Sequence, residues 1–446
     1  MKLEDYLKRD AELYPDKLAV ICGEQSISYR QLWNAVKQQA SLHVHDKGQL
    51  VPFRAICSVE TLVEYFSIHV AGGVAMPLDK KMQEEKFEEF MHLASEYRLK
   101  ESSLLHSENA ADVLFTTGTT GKSKGVVISH NAIVANAENL IDAQGYHHDM
   151  TFIIMGPLNH IGSLSKIFPI ILVGGTLRLI DGMKNMDTFF SAIEESKGCV
   201  ATFLVPASIR MLLTFAAERL AQCKNLIEMI ETGAAPISQA DMEHLCLILP
   251  HTHLYNTYAS TETGIIATYD FNAGECLSGC LGRCMRHSKL LITEDGHVAC
   301  KGKTLMMGYL GDESLTKSVL RDGVLYTADI GRMDEEGRLR LIGRTRDVFN
   351  IGGYKVMPTD VEEAALAIPE VKDCVCTMIQ HRVLGNVLKL LVVLQGNNQL
   401  DKRFLAKNLH VKLESYKVPM VYEQVDTIKR TFNGKIDRKY YRHGVE

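Results

Sequence analysis

Short apolar runs alternate with amphipathic stretches along the first two hundred residues. Residues 18–21 and 25–29 predict two strands around a turn at Gly23, and residues 30–42 predict a helix. Further elements of this kind are predicted strands at 111–115, 125–129, 176–180 and 201–205, and predicted helices at 187–197 and from Pro206 onward. Strands that alternate with helices favour an α/β fold with largely parallel sheets.

From Gly279 to Arg340 the pattern changes to short strands separated by turn signals. The turns lie at residues 294–296, 321–323 and 334–337, and each has an acidic residue directly before its glycine. Closely spaced strands and turns of this type predict a more antiparallel, barrel-like section.

The last hundred residues predict a separate small domain. Its predicted elements are a helix at 361–367, strands at 373–379 and 388–394, and a helix at 400–414. We place the boundary at Arg344–Asp347. The sequence thus predicts a large N-terminal domain of stacked α/β sheets with the barrel-like section, residues 1–344, followed by a small α+β domain, residues 345–446.

Composition excludes several classes of protein. The chain has 446 residues, too many for one core, and its 49 Lys and Arg against 54 Asp and Glu give a net charge of -5. No basic face for nucleic acid or an anionic membrane is expected, and no apolar run is long enough to span a bilayer. The 11 cysteines show neither a disulfide framework nor zinc spacing, which predicts reduced thiols and, with no signal-peptide pattern, a cytoplasmic location.

A polar, glycine-rich loop at residues 116–124 lies between two predicted strands. Its backbone N–H groups, hydroxyls and two lysines are the groups that hold a polyphosphate. It is not a Walker A loop, because Thr116 stands where that pattern needs its first glycine and a strand follows where a helix is required. Taken alone, the segment is equally compatible with a surface turn.

Four further regions follow the loop in a set order. They are residues 231–236, residues 255–264, residues 326–331 with 343–347 and 350–356, and residues 429–438 near the end of the chain. With these motifs, nearly the whole chain resembles the adenylate-forming superfamily, which includes acyl- and aryl-CoA ligases, luciferases and peptide-synthetase adenylation domains. Among these, the chain is most similar to acid–CoA ligases.

The resemblance implies a two-step reaction with ATP, Mg²⁺ and coenzyme A. A carboxylic acid reacts with ATP to give an acyl-adenylate and pyrophosphate, and a thiol then displaces AMP. Because protein groups give little covalent help in the first step, alignment and charge stabilisation dominate.

The resemblance also assigns the nucleotide contacts. Adenine would lie between Tyr258 and the strip of small residues, Asp329 would accept hydrogen bonds from the ribose hydroxyls, and Arg344 would contact ribose and phosphate. The strip is Gly233, Ala234 and Ala235. The β,γ-phosphate contacts are Thr116, Thr117, Gly118, Thr119, Thr120, Gly121 and Lys124.

Catalysis is assigned to four residues in the same way: Lys435, Thr261, Glu262 and Arg344. Glu262 resembles the Mg²⁺ ligand, since a hard cation prefers carboxylate oxygen. Thr261 resembles the α-phosphate contact. Lys435 resembles the lysine that bridges the substrate carboxylate and the α-phosphate, a task suited to a point charge on a flexible stem.

Members of this superfamily turn their small C-terminal domain between the two half-reactions, so the resemblance implies a mobile domain here. Arg346 resembles the pivot of that movement. Gly352, Gly353 and Tyr354 resemble the segment that lines the path of the pantetheine thiol.

His160, Asn159, Phe203 and Val205 are the predicted acid pocket. Relatives that activate amino acids place Asp at the position of His160 to hold the substrate ammonium, so the resemblance implies a non-amino acid, either fatty or aromatic. The acceptor is expected to be CoA. Two alternatives stay open: a carrier-protein phosphopantetheine thiol as acceptor, or a nucleotide-binding protein that has lost catalysis.

Overall fold

The computed structural model describes residues 1–43, 47–98, 109–116, 124–183, 185–196, 198–344, 347–351, 354–382, 385–396, 398–431 and 435–443. The first elements are α1 (Leu3–Leu13), β1 (Leu18–Cys22), β2 (Gln25–Ser28), α2 (Tyr29–Ala40), β3 (Leu50–Ala55), α3 (Val59–Val70), β4 (Val74–Asp79), α4 (Glu84–Arg98), β5 (Ala110–Thr116) and β6 (Lys124–Ser129). Helix α2 begins one residue before the predicted start, because Ser28 and Gln31 form a reciprocal cap with bonds of 3.3 and 2.8 Å.

The middle of the chain continues the alternation of strands and helices. Its elements are α5 (His130–Gln144), β7 (Thr151–Ile154), α6 (Ile161–Leu164), α7 (Ile167–Val173), β8 (Thr176–Leu179), α8 (Met186–Glu195), β9 (Val200–Leu204), α9 (Pro206–Phe215), α10 (Ala217–Gln222), β10 (Ile227–Thr232), α11 (Gln239–Ile248), β11 (His253–Ser260) and β12 (Gly264–Asp270). Strands β1, β8, β7, β9, β10 and β11 lie side by side in that order and are parallel. The predicted parallel α/β sheet is therefore confirmed.

The section after residue 279 is antiparallel, as predicted. Its elements are β13 (Cys280–Cys284), β14 (Ser288–Ile292), β15 (His297–Gly302), β16 (Gly308–Tyr309), α12 (Glu313–Val319), β17 (Leu320–Arg321), β18 (Val324–Met333) and β19 (Leu339–Arg344). Strands β14, β15, β18, β19 and β13 follow one another, and β13 joins them to β12 of the parallel sheet. Since β14 also contacts β12 and β13, the strands curve back toward their starting point.

A second sheet has the order β16–β6–β5–β4–β3. Apolar residues of both sheets and of α1, α2, α3, α5 and α7 form one core cluster, so these helices lie between the sheets. Helices α8 to α11 form a second core cluster with β9 and β10. No helix of the described residues is long and apolar enough to cross a membrane.

The C-terminal part has a core cluster of its own. Its elements are β20 (Phe349–Ile351), β21 (Tyr354–Val356), α13 (Pro358–Leu366), β22 (Val371–His381), β23 (Gly385–Leu394), α14 (Lys402–Lys412), β24 (Val421–Gln424) and α15 (Arg438–His443). Strands β22, β23 and β24 form a sheet, and β20 and β21 form a hairpin. The chain thus has a large N-terminal domain and a smaller α+β domain; residues 345 and 346, at the predicted boundary, lie outside the described residues.

One ion pair joins the two domains through Asp373 of β22. The guanidinium of Arg210, on α9, lies 3.8 Å from Asp373, and Arg430 of the small domain lies 2.8 Å from the same carboxylate. Arg210 also donates to Asp241, on α11, over 2.9 Å. Both residues of the interdomain pair therefore have a second partner within their own domain.

Candidate active site

The predicted site residues of the large domain follow the ends of neighbouring strands. Because β7, β9, β10 and β11 are adjacent and parallel, the segments that follow them meet at one edge of the sheet. In open α/β sheets this edge is where ligands bind. The segments carry Asn159 and His160 after β7, Val205 after β9, Gly233, Ala234 and Ala235 after β10, and Thr261 and Glu262 after β11.

Asp329 is buried, and each of its carboxylate oxygens has a hydrogen-bond donor, one from buried Tyr258 and one from the more exposed Arg344. The pairing of β18 with β19 puts Asp329 opposite Arg344, whose Nε donates to Oδ1 over 2.6 Å. The Tyr258 hydroxyl, from β11, donates to Oδ2 over 2.6 Å. Burial and the Asp329 charge raise the pKa of Tyr258, and that charge raises the pKa of Arg344. The three predicted nucleotide residues are thus in direct contact.

The strip of small residues after β10 is held in an unusual backbone conformation. A Cβ atom at Gly233 would lie 3.0 Å from the carbonyl oxygen of Thr257, so β11 approaches too closely for a larger residue. The next residue, Ala234, is exposed and has a φ of 67°, a left-handed conformation that costs a non-glycine residue about 1–2 kcal/mol. Strain of this kind concentrates at functional sites.

Thr261 and Glu262 occupy the tight turn between β11 and β12. Ser260 and Thr263 fix the turn, since each backbone N–H donates to the other residue's hydroxyl over 3.0 Å. The Thr304 hydroxyl donates to the carbonyl oxygen of Thr263 over 2.8 Å. The turn therefore presents both predicted catalytic side chains from a rigid support.

Tyr309 connects the metal-ligand candidate to the phosphate loop. Its hydroxyl donates to Glu262 Oε1 over 3.0 Å, and the ammonium of Lys124 lies 5.1 Å from its ring centroid. Thr116, the last residue of β5, is paired with Lys124, the first residue of β6. The two described ends of the phosphate loop therefore lie side by side near Tyr309.

Part of the predicted site lies outside the described residues. These residues are Thr117, Gly118, Thr119, Thr120 and Gly121 of the loop, the hinge residue Arg346, and Gly352 and Gly353 of the predicted thiol path. Tyr354, the third residue of that path, is 57% exposed and stacks on Tyr416 with a centroid distance of 4.4 Å.

Lys435 belongs to the small domain, but its ammonium is within electrostatic reach of the large domain. Burial lowers the pKa of Lys435 and the positive charge of Arg344 lowers it further, whereas Asp329 and Glu262 act in the opposite direction. The lysine therefore stands among the nucleotide and metal-ligand candidates.

The segment that carries Lys435 is anchored on both sides. The backbone N–H of Thr431 donates to the Lys435 carbonyl oxygen over 2.8 Å. Three residues after the lysine, Arg438 makes two hydrogen bonds, of 2.9 and 2.7 Å, with the buried carboxylate of Glu362. A bidentate pair of this kind gives the segment a defined orientation.

His160 connects Lys435 to the predicted acid pocket. Burial and the charge of Lys435 lower the pKa of His160, while Asp79, at the end of β4, raises it. The imidazole is therefore neutral near pH 7, and an ammonium substrate group would find no negative charge on it. Asn159, beside it, has a buried Oδ1 without a hydrogen-bond partner in the described part of the chain.

Phe203 lies between the acid pocket and the adenine strip. Its ring is 3.5 Å from the position of a Cβ at Gly162 and 3.7 Å from that of a Cβ at Gly233. Val205, two residues on, is the half-buried residue that precedes α9. The side chains predicted for the pocket are thus beside the predicted nucleotide contacts.

A buried ion pair lies next to Phe203. The ammonium of Lys166 contacts the Glu231 carboxylate at 2.7 Å, and each residue is 1% exposed. The same ammonium lies 5.3 Å from the centroid of the Phe203 ring. Sequence reasoning missed this pair, although each charge interrupts an apolar run and was a readable signal.

Two protein-family profiles match the chain. The profile of the AMP-binding enzyme family matches residues 92–310, and that of the AMP-binding enzyme C-terminal domain matches residues 360–435. Together these spans cover more than half of the chain.

Full-length relatives have similar sequences and folds. The indoleacetate–CoA ligase of Aromatoleum aromaticum is 26% identical, over 100% of this chain and 98% of its own. The 2-succinylbenzoate–CoA ligase of Bacillus licheniformis is 24% identical over 97% and 98%. The crystal structure of ATP-bound MatB from Rhodopseudomonas palustris has the same fold, with a TM-score of 0.86 and 22% identity over 100% and 99%. This chain belongs to the AMP-binding enzyme family.

Proposed function

We propose that the protein is an AMP-forming acid–CoA ligase. The observation that carries the proposal is that Lys435, in the small domain, interacts electrostatically with Arg344, Asp329, Glu262 and His160 of the large domain. A cation at this point faces both a nucleotide phosphate and a substrate carboxylate. The two relatives named above, which are CoA ligases, support CoA rather than a carrier protein as the thiol acceptor.

In the first half-reaction, a carboxylate oxygen of the acid attacks the α-phosphorus of ATP. The bond from that phosphorus to the bridging oxygen breaks, and pyrophosphate leaves. Lys435 offsets the negative charge of the two anions as they approach, and Arg344 and Thr261 stabilise the charge that develops on the α-phosphate oxygens. Asp329 and Tyr258 hold the nucleoside in place.

Glu262 suits the Mg²⁺ ion that accompanies ATP. The Tyr309 hydroxyl donates to its Oε1, and no residue of the described part of the chain donates a hydrogen bond to Oε2, which can therefore serve a cation. When bound, Mg²⁺ would supply charge neutralisation for the phosphates.

In the second half-reaction, the thiol sulfur of CoA attacks the acyl carbon. The bond from that carbon to the AMP oxygen breaks, AMP leaves and the thiol proton is released. Tyr354, with Gly352 and Gly353, is proposed to line the thiol path after the small domain has turned about Arg346.

We infer an aromatic acid as the substrate, in preference to a long-chain fatty acid. The Phe203 ring lies beside Gly162 of α6, within van der Waals distance of a Cβ at that position, and such a ring favours contact with a flat acyl group. The buried pair of Lys166 and Glu231 closes the space behind the ring. The neutral His160 supports a substrate without an ammonium group.

The function is tested by pyrophosphate release with Mg·ATP against aromatic, fatty and dicarboxylic acids, each with and without CoA. We expect one aromatic class to stimulate release and CoA to accelerate AMP turnover. Release that stops after one turnover despite CoA would favour a carrier-protein acceptor. Absence of release with every acid, at protein concentrations that bind ATP, would count against a ligase.

Glu262→Gln should raise the concentration of Mg·ATP needed for half-maximal adenylation by at least about 10-fold, with a smaller effect on the acid. The amide keeps the shape of the side chain but removes the charge that binds Mg²⁺. Initial rates of ATP–pyrophosphate exchange are measured with the concentrations of Mg·ATP and of the acid varied in turn. These rates separate the effect on Mg·ATP from the effect on the acid. Glu243→Gln, an exposed position on α11, is the control. An equal loss for both substrates would contradict the metal-ligand role.

The adenylation rate should fall in alkaline solution at a pH below 10.5, the ordinary pKa of lysine. Burial and Arg344 lower the pKa of Lys435, so the ammonium loses its proton, and its function, as the pH rises through that lowered value. The pKa values of Tyr258 and Arg344 are raised, so loss of a proton from either residue does not account for this fall in rate. In Lys435→Arg the guanidinium stays charged, so the alkaline fall in rate should move to a higher pH. If the fall in rate stayed at the same pH, a group other than Lys435 would be responsible for it.

A further inference from the structure

Three buried ligand-type side chains from three different helices meet in the large domain, and none of them is a predicted active-site residue. Glu4 comes from α1, His69 from the last turn of α3 and His130 from the start of α5. They are 6%, 1% and 2% exposed, and one potential metal-ligand atom of each lies within 4.8 Å of those of the other two. The rings of His69 and His130 pack edge to face, with centroids 5.0 Å apart and an interplanar angle of 73°.

Each of the three residues has a buried polar atom without a hydrogen-bond partner in the described part of the chain. These atoms are Glu4 Oε2, His69 Nδ1 and His130 Nδ1. Glu4 Oε2 and His130 Nδ1 are 3.9 Å apart, too far for a hydrogen bond. Leaving a polar group buried and unpaired costs about 1–3 kcal/mol, and three in one place need an explanation.

His69 Nε2 already has a hydrogen-bond partner, which leaves Nδ1 as the nitrogen available to a metal ion. His69 Nε2 lies 3.0 Å from Asp112 Oδ1, and the Tyr65 hydroxyl donates to Asp112 Oδ2 over 3.0 Å. With the Nε2 proton directed at the carboxylate, Nδ1, which has no hydrogen-bond partner in the described part of the chain, keeps its lone pair for a metal ion. Histidine ligands of metals are oriented by such a carboxylate.

We propose that Glu4, His69 and His130 bind a divalent transition-metal ion, Zn²⁺ by preference, that ties α1 to α3 and α5. Two imidazoles and a carboxylate are ligands that Zn²⁺ accepts, with water as the fourth. The carboxylates of Glu4 and Asp112 balance its two charges.

The separations of the ligand atoms are compatible with this ion. Atoms that all lie within 4.8 Å of one another share a point within about 2.8 Å of each, which is 4.8 Å divided by the square root of three. Zinc bonds are about 2.0–2.2 Å long, so the side chains need to shift by less than about 1 Å. The site has no part in the proposed ligase reaction, and its test is independent of it.

A second group of potential ligands, on the surface, provides the control. It consists of His147, Cys199 and Glu228. His147 Nε2 is already 3.0 Å from both carboxylate oxygens of Glu228, and Cys199 is exposed. This group has partners of its own and leaves no orphaned buried atom to explain.

The test uses the full chain after dialysis against a chelator and then into metal-free buffer. Zn²⁺ is titrated in competition with a chromophoric chelator, and thermal unfolding and hydrogen exchange of α1 are followed with and without the ion. We expect one Zn²⁺ per chain, a higher unfolding midpoint and slower exchange in α1. Glu4→Gln keeps the size of the side chain and should weaken binding at least about 10-fold, whereas His147→Ala should leave this site unchanged.

Two results would overturn the proposal. One is stoichiometric binding that His147→Ala removes and Glu4→Gln keeps, which would assign the ion to the surface group. The other is the absence of stoichiometric binding by the folded wild-type chain, which would leave an internal water as the partner of the three atoms.

Discussion

Lys435→Ala lowers the rate of adenylate formation about 10²–10³-fold and leaves thioester formation from a supplied acyl-adenylate largely unchanged. The magnitude is that of removing one preorganised charge from the transition state. The asymmetry is expected because the ammonium is proposed to act between the α-phosphate and the acid, and these two groups are already joined when the adenylate is supplied. ATP–pyrophosphate exchange measures the first half-reaction, and AMP release from acyl-adenylate with CoA measures the second.

Lys429→Ala is the matched control for this experiment. Lys429 is exposed and lies in the same C-terminal segment, and its backbone N–H, which donates to the Tyr441 hydroxyl over 2.6 Å, is kept. It should alter neither half-reaction. If Lys435→Ala slowed both half-reactions equally, the role proposed for Lys435 in the first step alone would be wrong.

Lys166→Met lowers the free energy of unfolding by about 3–5 kcal/mol, because it leaves the Glu231 carboxylate buried without its counter-charge. The double variant Lys166→Met/Glu231→Met removes both charges and should recover most of the loss. Denaturant unfolding, followed by a probe in the large domain, measures the difference.

The control for the ion pair is Lys224→Met, at an exposed lysine after α10. It should change the stability by less than about 0.5 kcal/mol. If Lys166→Met unfolded no more easily than Lys224→Met, Glu231 would have to be protonated or hydrated in the native protein. A double variant less stable than the single one would show that the pair itself stabilises the fold.

The fold could be predicted from sequence wherever the pattern of apolar residues was regular. Strands β1, β8 and β9 and helices α2 and α8 lie within one or two residues of their predicted limits. The limits are less accurate in the small domain, where α13 begins at Pro358 and not at residue 361, and β23 begins at Gly385 and not at residue 388. Helix α14 begins at Lys402 and not at residue 400, because the Asp401 side chain accepts the N–H groups of Arg403 and Phe404. Such local bonds decide the ends of helices without changing the apolar pattern.

The candidate site was predictable only where its residues belong to contiguous motifs. Tyr258, Asp329 and Arg344 were read from their segments, and the structure puts them in contact. Their roles remain predictions.

The buried ion pair and the proposed metal site were not predictable in this way. Lys166 and Glu231 are 65 positions apart, and the sequence around either residue does not indicate which residue it pairs with. Glu4, His69 and His130 come from three helices that only the packing between the sheets brings together.

Asp373 has a consequence for the timing of the two half-reactions. If the small domain turns about Arg346 as proposed, the Arg210–Asp373 contact would open, but Arg210 would keep Asp241 and Asp373 would keep Arg430. No charge is left stranded in either orientation, and a contact of 3.8 Å contributes little by itself. We therefore expect this ion pair to favour one orientation of the small domain only weakly, so that the bound substrates, and not this contact, would decide when the domain turns.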